Sequence, residues 1–206
     1  MLKLYGRNSS INVQKAAWAM GEAGLEWEWL DKDGVFGTVN VPNYERINPQ
    51  ILVPTLDDCG RLVRQSNTIV RYIARAYAPS ILLPKDEAIF VEAERWMDWQ
   101  ASDNMRPMTT VFWGLVRTPA DKRDMDAIKK ALAVLHGQFA VLNAHLKDRA
   151  YITGDNFCMG DIPPGAAAYR YFTMAIDRPA FPHLEQWYRV LQEREAFLKL
   201  VMVPLA

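Results

Sequence analysis

One stretch decides the fold of the first part of the chain: Asn48-Pro49-Gln50-Ile51-Leu52-Val53-Pro54-Thr55-Leu56. Val53 to Leu56 predicts a strand, although Pro54 has no amide hydrogen to donate to a β-ladder. A proline where a strand begins favours a cis bond after Val53. Such a bond would leave the main-chain groups of Val53 free for an extended ligand, as in strand addition. An ordinary proline at a sheet edge remains the alternative.

The segments on either side of this stretch alternate between strand and helix patterns. The strands have short apolar or alternating runs, and the helices have apolar residues three and four positions apart. The order is β-α-β-α-β-β-α, with strands at Leu2–Tyr5, Leu25–Leu30, Val53–Leu56 and Arg61–Arg64, helices beginning at Ile11 and Ser66, a short helix before Asn48, and a hairpin turn at Asp57–Gly60. Pro79 closes the unit.

After Pro84 only helix patterns follow. Apolar residues between Ile128 and Leu146 repeat every three or four positions, and further helices are predicted around Ile89–Gln100, over Gly160–Ile176 and over Leu184–Leu200. Together they predict a helical bundle. We therefore predict an α/β domain at residues 1–79 and an all-α domain at residues 86–206.

Composition excludes several classes of function. Lys plus Arg and Asp plus Glu number 24 each, so no net field attracts nucleic acid or an anionic membrane. No apolar stretch is long enough to span a bilayer, and the N-terminus lacks signal-peptide features. Cys59 and Cys158 are too few for a zinc site, and the three histidines do not cluster, so we expect no metal. These features predict a cytoplasmic protein.

Two segments have polar residues where a helix begins. Ser9 and Ser10 lie between the first strand and the first helix, where free amide groups and the helix dipole favour an anion. Gln65 and Ser66 lie at the start of the third helix, where a hydroxyl and an amide can hold a carboxylate. The alternative is that these serines are ordinary N-caps.

The order and spacing of these segments resemble the cytosolic glutathione transferase family. The resemblance lies in Leu4-Tyr5-Gly6 with Ser10, Asn12 and Val13, in Asn48-Pro49 with Val53-Pro54-Thr55-Leu56, in the block from Gln65 to Ala74, and in Gly154 to Ile162 with Pro182-His183-Leu184 and Trp187. The first block is similar to phi- and theta-like members with a catalytic serine. The resemblance covers essentially the whole chain.

The resemblance implies a thioredoxin-like first domain, a helical-bundle second domain and a cytoplasmic homodimer that takes part in detoxification. Part of the dimer interface is expected on the aromatic-rich helix around Trp96 and Trp99. Glutathione is implied as co-substrate, without a metal. Ser10 falls on the catalytic hydroxyl position, and the residues implied to bind glutathione are Ser10, Asn12, Gln50, Val53, Pro54, Gln65 and Ser66.

The chain departs from the family pattern at four points. Gln65 stands where many bacterial relatives have Glu, and Ile51-Leu52 replaces a frequent Gly-Lys, which removes one contact to a glutathione carboxylate. Ser9 lies next to Ser10, so Ser9, Ser10 and Asn12 all stay candidates for the contact with sulfur. Cys158 takes a Ser/Thr capping position, so Asp161 is expected to carry more of that structural task.

The implied reaction is conjugation of the glutathione thiolate to an apolar electrophile, because a hydroxyl that donates to sulfur favours its charged form. We expect Met105, Met108, Phe112 and Trp113 to line the electrophile pocket, with Phe36 closing it. The alternative for each of the four is that it belongs to the core of the helical bundle.

Two other functions stay open. One is glutathione-dependent peroxide reduction, dehalogenation or isomerisation, and the other is a non-catalytic carrier of glutathione.

Overall fold

The computed structural model describes all residues, 1–206. Its first part is a four-stranded sheet in the order β2-β1-β3-β4, in which β2 runs parallel to β1 and the other neighbours are antiparallel. The elements are β1 Leu2–Tyr5, α1 Ile11–Glu22, β2 Trp27–Leu30, α2 Tyr44–Ile47, β3 Thr55–Asp58, β4 Arg61–Arg64 and α3 Ser66–Ala76. The predicted order β-α-β-α-β-β-α is confirmed, and so is the thioredoxin-like α/β class.

Strand β3 begins two residues later than predicted. The Val53–Pro54 bond is cis, as the sequence predicts. Pro54 has no amide hydrogen, so the ladder with β1 and β4 starts at Thr55 and continues to Asp58. The hairpin turn is therefore only Cys59-Gly60. Both residues have positive φ, 51° and 96°, as a tight hairpin turn between twisted strands requires.

The second part is all-helical, which confirms the predicted class. Wide helical turns at Gln100–Asn104 and Trp113–Arg117 flank a short helix, so the chain from Glu87 to Arg117 stays helical throughout. The helices are α4 Glu87–Trp99, α5 Met105–Phe112, α6 Met125–His145, α7 Ile162–Thr173, α8 Pro182–Gln192 and α9 Glu195–Leu200. Helix α3 ends at Ala76 and α4 starts at Glu87, and the domain boundaries at 79 and 86 stay a prediction.

The prediction of one helix over Leu184–Leu200 is wrong. The chain leaves the helix after Gln192, and Arg194 is extended before α9 begins. Two contacts explain the break. Arg194 forms an ion pair with Glu22 of α1 at 2.6 Å, and Phe197 packs on Trp18 with ring centroids 4.7 Å apart. A continuous helix would lose the packing of α9 against α1.

A single apolar core runs through both parts and is centred on α1. Trp18 is fully buried, and a Cβ at Gly165 of α7 would lie 2.8 Å from its ring, so this glycine allows the two helices to approach closely. Trp96 of α4 is also fully buried within its own chain. Trp99 on the same helix is only half-buried, and the expectation that the helix around Trp96 and Trp99 supplies part of a dimer interface stays a prediction.

Asp161 organises the start of α7 as the sequence predicts. Its carboxylate accepts hydrogen bonds from the amides of Cys158, at 3.0 Å, and Ile152, at 2.8 Å, and from the indole of Trp187, at 2.9 Å. The Cys158 sulfur accepts a long bond of 3.4 Å from the Gly160 amide and forms another of 3.4 Å with the Thr153 hydroxyl. The carboxylate thus caps one amide at this helix end and ties the helix to two other segments of the chain.

None of the helices is both long and apolar enough to span a bilayer.

Candidate functional site

Two adjoining cavities open between the start of α1 and the loop before β3. The larger, about 360 Å³, is lined by Ser10, and the smaller, about 90 Å³, by Gln65 and Ser66. Asn12, Leu52 and Val53 line both, so the cavities form one cleft. All seven residues that the resemblance implies for glutathione line this cleft: Ser10, Asn12, Gln50, Val53, Pro54, Gln65 and Ser66.

Ser10 takes the N-cap position of α1, and its hydroxyl caps no amide. Its backbone is extended (φ −84°, ψ 121°), and its carbonyl accepts the first helical bond from Gln14 at 2.9 Å. The side-chain hydroxyl forms no hydrogen bond with the rest of the chain although the residue is only 7% exposed. The hydroxyl therefore remains available to a group in the cleft.

Asn12 and Ser9 differ in their relation to the cleft. Asn12 lines it, and its Oδ1 accepts a hydrogen bond of 3.2 Å from the Ser66 hydroxyl. Ser9 does not line either cavity, and its carbonyl accepts from Arg170 at 2.9 Å. The geometry therefore brings Ser10 and Asn12 to the cleft and leaves Ser9 beside it.

The main chain of Val53 is free of internal partners. Neither its amide nor its carbonyl takes part in a hydrogen bond, because the ladder starts at Thr55. The preceding carbonyl, that of Leu52, is held by Tyr44 Oη and Asn48 Nδ2, each at 2.8 Å. These two buried side chains fix the loop so that Val53 faces the cleft. Their role was not foreseen, although Asn48-Pro49 precedes the loop in the sequence.

The start of α3 differs by one residue from the predicted cap. Gln65, with φ 69°, is the N-cap, and Ser66 is the first helical residue. The amide of Ser66 belongs to the first turn, where amides have no partner within the helix. Gln65 is exposed at the mouth of the smaller cavity. Together they present an amide, a hydroxyl and a carboxamide to one small space.

Ile51 and Leu52 form an exposed apolar edge of the larger cavity. They are 57% and 58% exposed. Ile51 has φ 55°, in the left-handed region that favours glycine. The glycine that the resemblance implies at this position therefore fits the observed backbone better than isoleucine does.

Of the four residues predicted for the electrophile pocket, Trp113 alone lines the cleft. It meets Phe36 edge-to-face with ring centroids 5.1 Å apart, so the two rings form one wall of the larger cavity. Met108 and Phe112 are each 1% exposed and belong to the core. Met105 packs against that core. For these three residues, the alternative stated above holds: they are part of the core of the helical bundle.

The sequence reasoning missed three arginines near this wall. Arg7 lines the larger cavity, and Arg117 lies over Phe36, 3.9 Å from the ring centroid. Arg170 of α7 lies 4.0 Å over Phe112. Arg117 follows Trp113 by four positions, a spacing that brings two residues to one helix face and could have revealed it. No sequence signal marks Arg170.

A surface cavity larger than either part of the cleft lies elsewhere. It measures about 750 Å³, lies between α1 and α9, and contains none of the predicted site residues. No group of three or more His, Cys, Asp or Glu side chains is placed to hold a metal ion.

The chain is similar to known proteins over its full length. Residues 4–81 match the family model described as glutathione S-transferase, N-terminal domain, and residues 105–195 match glutathione S-transferase, C-terminal domain. The chain is 35% identical to glutathione S-transferase GstB of Escherichia coli K12, with all of both chains covered. It is 32% identical to glutathione S-transferase 3 of Zea mays, over 99% of this chain and 95% of that protein.

A solved structure extends this similarity to the fold. The theta class glutathione S-transferase of Xanthomonas axonopodis pv. citri, with glutathione bound, superposes with a TM-score of 0.94 at 40% identity. The superposition covers 100% of this chain and 99% of that one.

Proposed function

Since the chain belongs to the glutathione S-transferase family, we propose that it conjugates the glutathione thiolate to an apolar electrophile and that the Ser10 hydroxyl stabilises the thiolate. The family relation makes it a glutathione transferase with glutathione as its co-substrate. Serine-type activation and the class of electrophile are the new parts of the proposal.

One observation carries the proposal. The seven residues expected to bind glutathione line one cleft, and within it the Ser10 hydroxyl is nearly buried and has no partner in the chain. A donor that caps no helix amide can donate to a ligand at no cost to the helix. The free amides at the start of α1 add a favourable field for a negative charge near the same point.

The proposal places glutathione in the cleft in one orientation. The γ-glutamyl group fits the smaller cavity, where Gln65 and Ser66 offer donors to its carboxylate. The cysteinyl group pairs with the free main chain of Val53. Val53 and Ser10 line the same larger cavity, which supports placing the sulfur beside Ser10.

Ser10 acts as an orienting donor and not as a nucleophile. Only the thiolate attacks, and a free thiol with a pKa of about 8.5 is mostly protonated at neutral pH. A hydrogen bond from the hydroxyl favours the charged sulfur and so lowers this pKa. Asn12 is the next candidate for the same contact, because its side chain also lines the cleft.

Trp113 and Phe36 supply the apolar wall against which the electrophile packs. Met105, Met108 and Phe112 act behind this wall as core. A peroxidase, dehalogenase or isomerase using the same glutathione site, and a non-catalytic carrier, are the alternatives that a turnover assay separates from conjugation.

We further propose a cytoplasmic homodimer that acts in detoxification. The family relation supports this assembly, and the exposed apolar side chain of Val91 on α4 offers a contact for it. Both cysteines are unpaired, as is usual in the reducing compartments where glutathione is abundant.

Retention on immobilised glutathione followed by conjugation of 1-chloro-2,4-dinitrobenzene tests the proposal. We expect Ser10→Ala to stay bound and to lose ten- to a hundredfold in rate, since a hydrogen bond to a charged group contributes roughly 1.5–3 kcal/mol. Ser9→Ala is the matched control, because Ser9 does not line the cleft. Full activity of Ser10→Ala would contradict serine-type activation, and binding without turnover of the wild-type protein would favour the carrier.

A further inference from the structure

Three arginines lie together at the aromatic wall of the cleft. The Cζ atoms of Arg7 and Arg117 lie 5.0 Å and 3.9 Å from the centroid of the Phe36 ring. Arg117 also lies 5.0 Å from the centroid of Phe112, and Arg170 lies 4.0 Å from the same point. The three guanidinium groups are therefore linked through two aromatic rings.

No aspartate or glutamate forms an ion pair with any of the three. The ion pairs of the structure involve other residues throughout. The charge of Asp31 acts on Arg7 without forming an ion pair. The Nε atoms of Arg7 and Arg170 are buried and have no acceptor. Buried cationic donors that lack an acceptor are costly, and proteins keep few of them.

The remaining hydrogen bonds of the group go to main-chain oxygens. Arg117 donates to the backbone oxygen of Ala206, and Arg170, only 6% exposed, donates to that of Ser9. Burial lowers the pKa of Arg170 to about 9, and the nearby charges of Arg117 and Arg7 act in the same direction. The cluster therefore keeps an excess of positive charge beside the cavity.

We propose that the electrophile conjugated here is an aromatic compound with an acidic group, such as a carboxylate, which the arginine cluster binds. This inference rests on the proposed function and names its substrate class. Guanidinium groups bind carboxylates through two parallel hydrogen bonds, and Phe36 and Trp113 offer an aromatic ring a surface to pack on. A neutral electrophile would leave the positive charge of the cluster unbalanced.

A second carboxylate that can bind the arginine cluster is the glycine carboxylate of glutathione itself. Arg117 and Arg170 belong to the helical part of the chain, and none of the three arginines lines the smaller cavity formed by Gln65 and Ser66. The two carboxylates predict different kinetic effects, because loss of a glutathione contact raises the KM for glutathione with every electrophile.

The test uses two aryl chlorides that differ in charge, 4-chloro-3,5-dinitrobenzoate and its methyl ester. In both reactions the thiol first loses its proton to solvent, the sulfur bonds to the ring carbon that carries chlorine, and chloride leaves with the electron pair of the broken bond. We expect Arg117→Met to lower kcat/KM at least tenfold for the acid and less than threefold for the ester. Arg189→Met, an exposed arginine of α8, serves as the matched control and should change neither.

The wild-type protein gives a second measurement that does not depend on the folding of a variant. Raising the ionic strength from 50 to 500 mM should lower kcat/KM for the acid several-fold and leave the ester nearly unchanged, because salt screens the attraction between charges. Equal losses for acid and ester, or a raised KM for glutathione alone, would overturn the inference and leave the transferase function intact. Absence of turnover with both compounds would contradict the proposed function itself.

Discussion

At the scale of single residues, Ile51 shows how this chain departs from its relatives. Its backbone is left-handed, with φ 55°, a conformation that costs a residue with a Cβ roughly 1–2 kcal/mol. More than half of its side chain is exposed, so little burial offsets this cost. The loop before Val53 is nevertheless held in this shape by Tyr44 and Asn48.

Ile51→Gly should therefore stabilise the protein. Glycine removes the steric cost and adds an entropic one of about 0.5–1 kcal/mol, so we expect a net gain of up to ~1 kcal/mol in the free energy of unfolding. Urea denaturation measures it. Ile81→Gly, at an exposed turn residue whose φ is not positive, is the control and should destabilise. A loss at both positions would mean that Ile51 is not strained.

The sequence predicts which residues line the cleft only where those residues belong to a motif. Val53, Gln65 and Ser66 lie in recognisable blocks, and all of them line the cleft. Met108 and Phe112 carry the same apolar pattern whether they face a pocket or the core, and periodicity cannot separate the two. Arg170 lies 161 positions from its partner Ser9, and no local pattern reveals such a contact.

At the scale of elements, the order and type of strands and helices were predictable, because each has its own apolar period. The residues at which the strands and helices begin and end were harder to predict. Strand β3 starts after Pro54 because proline lacks a donor, and α8 and α9 separate because Arg194 pairs with Glu22 of a distant helix. The first cause is local and visible in the sequence. The second depends on tertiary contacts.

Helix α1 carries a buried amine between the two parts of the chain. Lys15 is 1% exposed, and its Nζ donates to Gln100 Oε1 at 2.7 Å and to Asn67 Oδ1 at 3.5 Å. Burial, with a smaller contribution from Arg170, lowers its pKa to about 7. No carboxylate forms an ion pair with this amine.

Lys15 should make stability depend on pH between 7 and 9. Its folded pKa is about 7 and its ordinary value 10.5, so in this range the unfolded chain binds more protons and stability rises with pH. We expect the wild-type free energy of unfolding to rise relative to Lys15→Met by up to ~1.4 kcal/mol per pH unit. Denaturation at pH 6, 7, 8 and 9 measures this difference. Parallel profiles for the two proteins would contradict a neutral amine.

At the scale of the whole molecule, one core joins the sheet part to the helical part through α1, and the cleft lies where the two parts meet. Val53, Gln65 and Ser66 come from the first part and Trp113 from the second. The relative placement of the parts therefore decides which electrophile reaches the sulfur. The sequence predicts each part separately but not the arginine cluster that forms between them.

The proposed homodimer is also a property of the whole molecule. We expect sedimentation at micromolar concentration to give about twice the mass of one chain, 23.5 kDa. Val91→Lys, on the exposed face of α4, should weaken the assembly because it sets a charge in an apolar contact. Val134→Lys, an equally exposed valine of α6, is the control. A monomer at this concentration would contradict the proposal.

The pKa of the glutathione thiol in its complex with the enzyme tests the central claim most directly. Thiolate absorbance followed against pH should give a value one to two units below the free thiol for the wild-type protein and for Ser9→Ala, since 1.5–3 kcal/mol corresponds to about that shift. For Ser10→Ala we predict a return towards the free value of about 8.5. An unchanged thiol pKa in Ser10→Ala would contradict the account and transfer the role to Asn12.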